Sequence, residues 1–282
     1  MKAPARPADE QARLAALHEL RILDTAPEGA FEAVTAVAAA ICGTPMALVS
    51  LVDADRQWFK SAHGIDVDEM PRSISFCGHT ILGDQIMEIP DTLEDDRFSD
   101  NPLVTDDPHL RFYAGAPLVT REGLKLGALC VLDREPRALE PWQTEALRQL
   151  AILASHQMAL RRQALDKALH GAFLRAAMDS VGSIIVALDT RGRVSQLNRR
   201  AQELLGVSSD EAAGRPGPDV LGAGWIPTPG ATDSTPWPIA FHDPTPTDGT
   251  HVEYPVVHLG PSEQPFPARI TVAPIQDEYE QD

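Results

Sequence analysis

Cysteine, aromatic side chains and positive charge are all scarce in this chain of 282 residues, and each scarcity excludes something. Three cysteines, Cys42, Cys77 and Cys130, are too few and too widely spaced for a disulfide framework or a short-spaced zinc cluster, and they fit a reducing compartment. Against 41 acidic residues stand only 24 basic ones, a net charge of −17 that repels phosphate backbones and anionic lipid. Nucleic acid and membrane surface are therefore not expected as partners. No stretch approaches the roughly 18 apolar residues needed to span a bilayer. The opening MKAPARPADEQARLAALHEL has no apolar signal-peptide core, so a cytoplasmic chain is expected. What the chain does have is length and 43% apolar residues, enough for two domains with their own cores.

Charge does not divide the halves, but proline does. Half of the 24 prolines fall between Pro216 and Pro267, in loop-like text such as WIPTPGATDSTPWP. Proline removes a donor and restricts the residue before it, so a loop-rich second domain is expected. In the first domain, Ala8 to Ile22 and Ala30 to Cys42 carry helical spacing. Met46 to Asp53 and Arg56 to Gly64 read as an antiparallel hairpin. Gln85 to Ile89, Tyr113 to Val119 and Lys125 to Leu132 read as further strands, the last two joined by a turn at Thr120 to Gly123. From Pro141 to Asp179 the text is rich in helix formers and has one glycine, Gly171, which predicts one long helix. Leu150, Leu153, Gln157, Leu160 and Ala164 form a stripe along it. Lys167 breaks that stripe, and Leu165, Leu169 and Phe173 resume it offset, the pattern of a dimerising coiled coil with a stutter; a plain packing helix is the alternative. Beyond it, SIIVALDT and RVSQLN read as strands around Gly192, NRRAQELLGV as a helix, and HVEYPVVHL and PFPARITVAPI as later strands, with a final strand missing or atypical after Asp277.

The text LHELRILDTAPEGAFEAVTAVAAAICGTPMALVSLVDADRQWFKSAHG, then PRSISFCGHTIL, DRFSDNPLV, LRFYAGAPL and LGALCVLD, resembles the GAF family, in the version found in front of bacterial sensor kinases and cyclic di-GMP enzymes. FLRAAMDSVGSIIVALDTRGRVSQLNRRAQELLGV and ARITVAPIQDE resemble a PAS domain. The resemblance implies an α+β chain: a GAF domain (1–160) with an antiparallel sheet and flanking helices, a connector helix (141–180), and a smaller PAS-like antiparallel domain (168–282) that is incomplete at its end. It also implies a bacterial signal-sensing module that binds a small ligand or dimerises and relays conformational change to an output domain or partner. A ligand-free scaffold and the sensory fragment of a diguanylate cyclase or histidine kinase are the alternatives. No GGDEF-like or EAL-like signature, kinase glycine box or helix-turn-helix is recognised, and the ASHQMALRR context of His156 lacks phospho-acceptor features. The chain is therefore expected not to be an enzyme.

In the GAF pattern the segment Ser73 to Thr80 faces the ligand side of the sheet. Ser75 reads as a helix N-cap and Cys77 first as a small buried hydrophobe, then as a redox or covalent site. His79 reads as a core or cap residue before it reads as a haem or metal ligand. Phe98, Arg111, Phe112 and Tyr113 supply aromatic walls and a guanidinium, which suits a small ligand with an anionic group; aromatic core packing and an ordinary salt bridge are the equal alternative. Together Phe76, Cys77, His79, Phe98, Arg111, Phe112 and Tyr113 are the candidate ligand-binding residues. Seven acidic residues between Asp91 and Asp107 read as a solvated lid rather than a cation site. Trp58 and Cys130 read as core. No metal site and no catalytic residue are expected, and no cofactor is assigned. A flavin–thiol adduct is excluded because no cysteine follows Cys130; haem in the PAS part would need His242, His251 or His258 inside the cleft, and is not expected because His251 to His258 read as exposed on a strand. A free methionine-(R)-sulfoxide reductase of GAF type is a further alternative, but its attacking cysteine has no counterpart in residues 84 to 112, and Cys42 and Cys130 do not supply it. The expected partners are a second copy through helix 141–179, a separate or missing output domain, and an unidentified small molecule.

Overall fold

The computed structural model describes residues 1–189 and 191–221 and the strands at 225–227, 234–236, 252–259 and 266–272. Contacts divide the chain into two units, Met1–Lys167 and Ala168–Asp282.

In the first unit, helices α1 (Glu10–Glu19) and α2 (Gly29–Cys42) precede the strands β1 (Met46–Val52), β2 (Arg56–His63) and β3 (Glu69–Pro71). A short helix α3 (Phe76–Thr80), strand β4 (Met87–Ile89) and helix α4 (Pro102–Thr105) lead into β5 (Phe112–Val119) and β6 (Lys125–Asp133). The strands form one antiparallel sheet in the order β3-β2-β1-β6-β5-β4. Strand β3, which sequence alone did not indicate, is three residues long and has no alternation to betray it.

Alternation along each strand sorts the side chains onto two faces. Val49, Leu51, Leu129, Val131, Phe112 and Ala114 join α2 in one core. Met46, Leu48, Cys130, Leu132 and Tyr113 join α3 in the other. Ser50 pairs with Phe59 while Val49 pairs with Ser61, so Lys60 is an extra residue on β2. This bulge turns both Lys60 and Ser61 toward the helical face: Ser61 Oγ meets Thr35 Oγ1 at 2.8 Å, and Lys60 Nζ meets Glu28 at 2.7 Å. Gly127 is required where β6 passes β1, because a Cβ there would run into the Ser50 carbonyl.

Helix α5 (Pro141–Ser180) closes the helical face of the first unit. Leu147, Ala151, Ala154 and Met158, at 4-3-4 spacing, bury themselves in that core, while Gln143, Ser155 and Arg161 bond to the Ile41 carbonyl, the Val119 amide and Glu28. This buried stripe is distinct from the one expected as a dimer seam: of the latter, Leu150 packs partly against the core, whereas Leu153 and Leu160 lie on the opposite side at 55% and 59% exposure.

In the second unit, β7 (Val186–Leu188) and β8 (Val194–Leu197) pair around a turn in which Asp189 accepts from the amides of Arg191 and Arg193. Helices α6 (Arg199–Leu205), α7 (Ser209–Ala212) and α8 (Gly217–Leu221) follow. Two further antiparallel pairs are β9 (Trp225–Pro227) with β10 (Ser234–Pro236), and β11 (Val252–Leu259) with β12 (Phe266–Val272). The expectation about the chain after Asp277, and those for His242 and His251, lie outside the described residues.

Candidate functional site

On the α3 face of the first unit, the sheet and the chain above it enclose a cavity of about 30 Å³. Its lining is apolar except for Gln57, Tyr113 and the thiols of Cys77 and Cys130. Such a volume holds a water-sized molecule; anything as large as benzene needs about 150 Å³.

Cys77 reaches the cavity because Ser75 caps α3, its hydroxyl accepting from the Gly78 amide at 2.8 Å and donating to Gln57. Cys130 reaches it from β6, opposite Leu48 on one side and Gly115 on the other. The two sulfurs are 3.6 Å apart and fully enclosed. Tyr113 lies over them. Its hydroxyl is 3.3 Å from the Cys77 sulfur and 2.6 Å from the Thr80 hydroxyl.

Ser50 stands on the same face of β1 as Leu48, and among the described residues its hydroxyl is the buried side-chain polar atom without a hydrogen-bond partner. Burial raises the Cys77 pKa, but hydrogen bonds from Cys130, Ser50, Tyr113 and Gln57 to its charged form outweigh burial and hold the thiol below its ordinary range. Cys130 moves the opposite way, through its bond to Cys77, burial and repulsion from a Cys77 thiolate. Burial and those same sulfurs keep Tyr113 protonated, hence a donor.

The structure scatters the other candidate residues. Phe76 lines the cavity and stacks on Phe98, ring centroids 4.1 Å apart; Phe98 itself is buried behind it. His79 points away from the thiols into an open groove shared with Arg97 and Met87, and its Nε2 is 2.9 Å from the Lys2 carbonyl. Burial lowers the His79 pKa, only partly opposed by that carbonyl. Phe112 and Arg111 do not line the cavity. Strand alternation puts Phe112 on the helical face beside Tyr113, and the Arg111 guanidinium is fixed by Asp91 at 2.6 Å and 2.9 Å. An anionic ligand thus finds no positive group in the lining. Asp91 and Asp95 of the acidic run are taken by Arg111 and Arg97. Among the described residues no group of three or more metal-ligating side chains assembles.

Sequence reading missed the Cys77–Cys130 contact. Fifty-three positions separate the residues, and no spacing rule joins a helix start to a central strand. The only available signal was that both positions face the same side of the sheet.

Two family models match the chain, the GAF domain over residues 26–159 and the PAS fold over residues 172–221. The chain is a tandem GAF–PAS protein. Over 137 residues, 49% of this chain, it is 47% identical to the cyclic di-GMP phosphodiesterase PA2567 of Pseudomonas aeruginosa, and that stretch spans 23% of the relative's length. A chain in the crystal structure of the Escherichia coli DhaR(N)–DhaL complex matches 99% of this tandem at 15% identity, with a TM-score of 0.54 and 89% of that chain covered. That likeness shows fold alone. The GAF domain of an Acinetobacter phosphoenolpyruvate-protein phosphotransferase matches 54% of the chain and 93% of its own length, at 16% identity and a TM-score of 0.41.

These comparisons correct one expectation. The tandem was expected not to be an enzyme because no catalytic signature is recognised in its residues. The phosphodiesterase relative overturns that inference: its matched stretch, 23% of its length, relates this chain to part of a named enzyme. A missing motif in a matched stretch of that size does not decide activity.

GAF and PAS are sensory domains of bacterial signalling. No helix among the described residues is long and apolar enough to cross a membrane.

Proposed function

We propose that this tandem is the regulatory input of a cytoplasmic cyclic di-GMP signalling protein, working as a homodimer whose paired α5 helices carry the state of the GAF domain to an output domain or partner. In this reading the GAF domain occupies residues 1–160, the connector 141–180 and the PAS domain 168–282. The sequence relation to a cyclic di-GMP phosphodiesterase supports the signalling context.

The observation that carries the relay is the uncovered side of α5. Leu153 and Leu160 are seven residues apart and opposite the stripe that the GAF core buries, and Phe173 further along is 69% exposed. A second copy covers such a seam with knobs-into-holes packing. Arg161, on the same helix, bonds to Glu28 and to the carbonyls of Leu20 and Arg21, so motion in the GAF domain has a direct mechanical route into α5. Any effector acts by its different affinity for two states of that helix pair. Of the candidate residues, Phe76, Cys77 and Tyr113 contact it in the cavity, which suits a small neutral molecule.

Native mass spectrometry tests this directly. Dimers are expected from the intact chain, and monomers from L153K/L160K with an unchanged circular dichroism spectrum. A monomeric unmodified chain would overturn the relay. Cyclic di-GMP added to the same samples, with product followed by chromatography, tests whether the chain itself hydrolyses it.

A further inference from the structure

We propose that Cys77 and Cys130 form an oxidant-reactive site at which hydrogen peroxide converts two buried thiols into a disulfide. Four observations converge on it. The sulfurs are 3.6 Å apart, so the bond forms after a movement of about 1.5 Å, against a disulfide length of roughly 2.05 Å. Both line a cavity of about 30 Å³, which admits an oxidant little larger than water and excludes bulky ones. Ser50 holds a buried hydroxyl that has no hydrogen-bond partner among the described residues, a donor free to serve a Cys77 thiolate. The Tyr113 hydroxyl, 3.3 Å from the Cys77 sulfur, supplies a second donor. Thiolate character is what makes a cysteine nucleophilic.

The chemistry balances in two steps. The Cys77 thiolate attacks one peroxide oxygen; the S–O bond forms, the O–O bond breaks, and the departing hydroxide takes the former thiol proton and leaves as water. Sulfur is oxidised to the sulfenic acid and one oxygen is reduced. Cys130 then attacks the Cys77 sulfur. The S–S bond forms, the S–O bond breaks, and hydroxide leaves with the Cys130 proton as a second water. In sum, two thiols and one hydrogen peroxide give one disulfide and two waters. The bond to Cys77 and the Cys77 charge, which with burial hold the Cys130 pKa up, both disappear in the first step, which eases the second.

Cys42 is an internal control. It is buried in the helical core, and burial together with Glu88 pushes its pKa up to about 11. The site needs neither the dimer nor the relay, so this proposal and the proposed function fail separately.

The full chain is exposed to hydrogen peroxide, quenched, unfolded in N-ethylmaleimide, digested and mapped by mass spectrometry. The expected product is a peptide pair joined through Cys77 and Cys130 within one chain, forming at least about tenfold faster than oxidation of Cys42. In C130S the reaction stops at a Cys77 sulfenic acid that dimedone captures, and in C77S Cys130 stays reduced. Oxidation of Cys42 in step with Cys77, disulfides between chains only, or methionine sulfoxide with no joined peptide would overturn the proposal. The unmodified chain alone distinguishes these outcomes, whatever the variants do to folding.

Discussion

The Tyr113 ring occupies the place that a Cβ on Gly115 would need, two residues along the same face of β5. Glycine at 115 is therefore what allows the phenol to lie flat over the sheet and reach both Thr80 and Cys77. Gly115→Ala is expected to lift the ring and cost about 2 kcal/mol, the range for overfilling a packed core. Tyr113→Phe keeps the ring in place and is expected to cost about 1 kcal/mol for its lost hydrogen bonds. Urea denaturation midpoints of the two variants rank them, and an equal or reversed ranking would show that the ring position does not depend on the glycine.

Glu10 links α1 to the turn after β3, bonding Arg13 at 2.9 Å and pairing with Arg72. Burial raises its pKa, but the two guanidiniums more than reverse that and lower it from 4.5 to about 2. A carboxyl depressed in the folded state contributes stability that is present above pH 4.5 and is lost as pH falls toward 2. The full contribution is about 3 kcal/mol, of which about 2 kcal/mol is gone by pH 3. Glu10→Gln should flatten this acid limb while lowering stability at pH 7. A variant that unfolds with the parent's pH dependence would show that Glu10 does not set the acid limb.

Lys60 has a fully buried side chain, and its ammonium bonds Glu28, the Thr25 hydroxyl and the Ala26 carbonyl. Removing one member of such a pair costs more than removing the charge altogether, because the survivor stays buried and unpaired. Glu28→Ala is expected to destabilise by about 3 kcal/mol, since it strands Lys60 and also releases Arg161 of α5. Lys60→Met should cost less, because Glu28 keeps Arg161 and is partly exposed. Thermal unfolding of the two single variants and the double variant checks the asymmetry; additive costs would contradict it.

Asn198 organises the start of the second unit. Its side-chain oxygen accepts from the amides of Ala201 and Ile185, and its nitrogen donates to the carbonyls of Met178 and Ser183. Asn198→Ala removes an N-cap and leaves those groups unsatisfied, an expected cost of about 3 kcal/mol. Hydrogen exchange should rise over residues 181–205 and stay unchanged in the six-stranded sheet. Uniform protection across the second unit would contradict the cap's role.

The hairpin of Met46 to His63 and the pair of Phe112 to Asp133 were legible in sequence because apolar runs, alternating only in Arg56 to His63, flank turn residues, and α5 because no proline interrupts it. Which stripe of α5 the GAF core buries was not legible. Alanines at 151 and 154 face the core as well as leucines do, so the apolar text fits two faces of one helix. Of the candidate site residues, the structure brings Phe76, Cys77 and Tyr113 to one cavity, where a helix start meets a strand. Arg111 stands outside that cavity, held by Asp91, and such pairing depends on three-dimensional distance rather than on order along the chain.

Strand β6 sits in the middle of the sheet, with Ala128, Cys130 and Leu132 turned to one side and Leu129 and Val131 to the other. Even and odd positions of a single strand thus answer to different selective demands. Substitutions at the even positions act on the cavity that Cys77 and Cys130 line, and those at the odd positions act on the core shared with α2 and α5. One strand thus carries two separately addressable surfaces, a modularity at single-residue resolution.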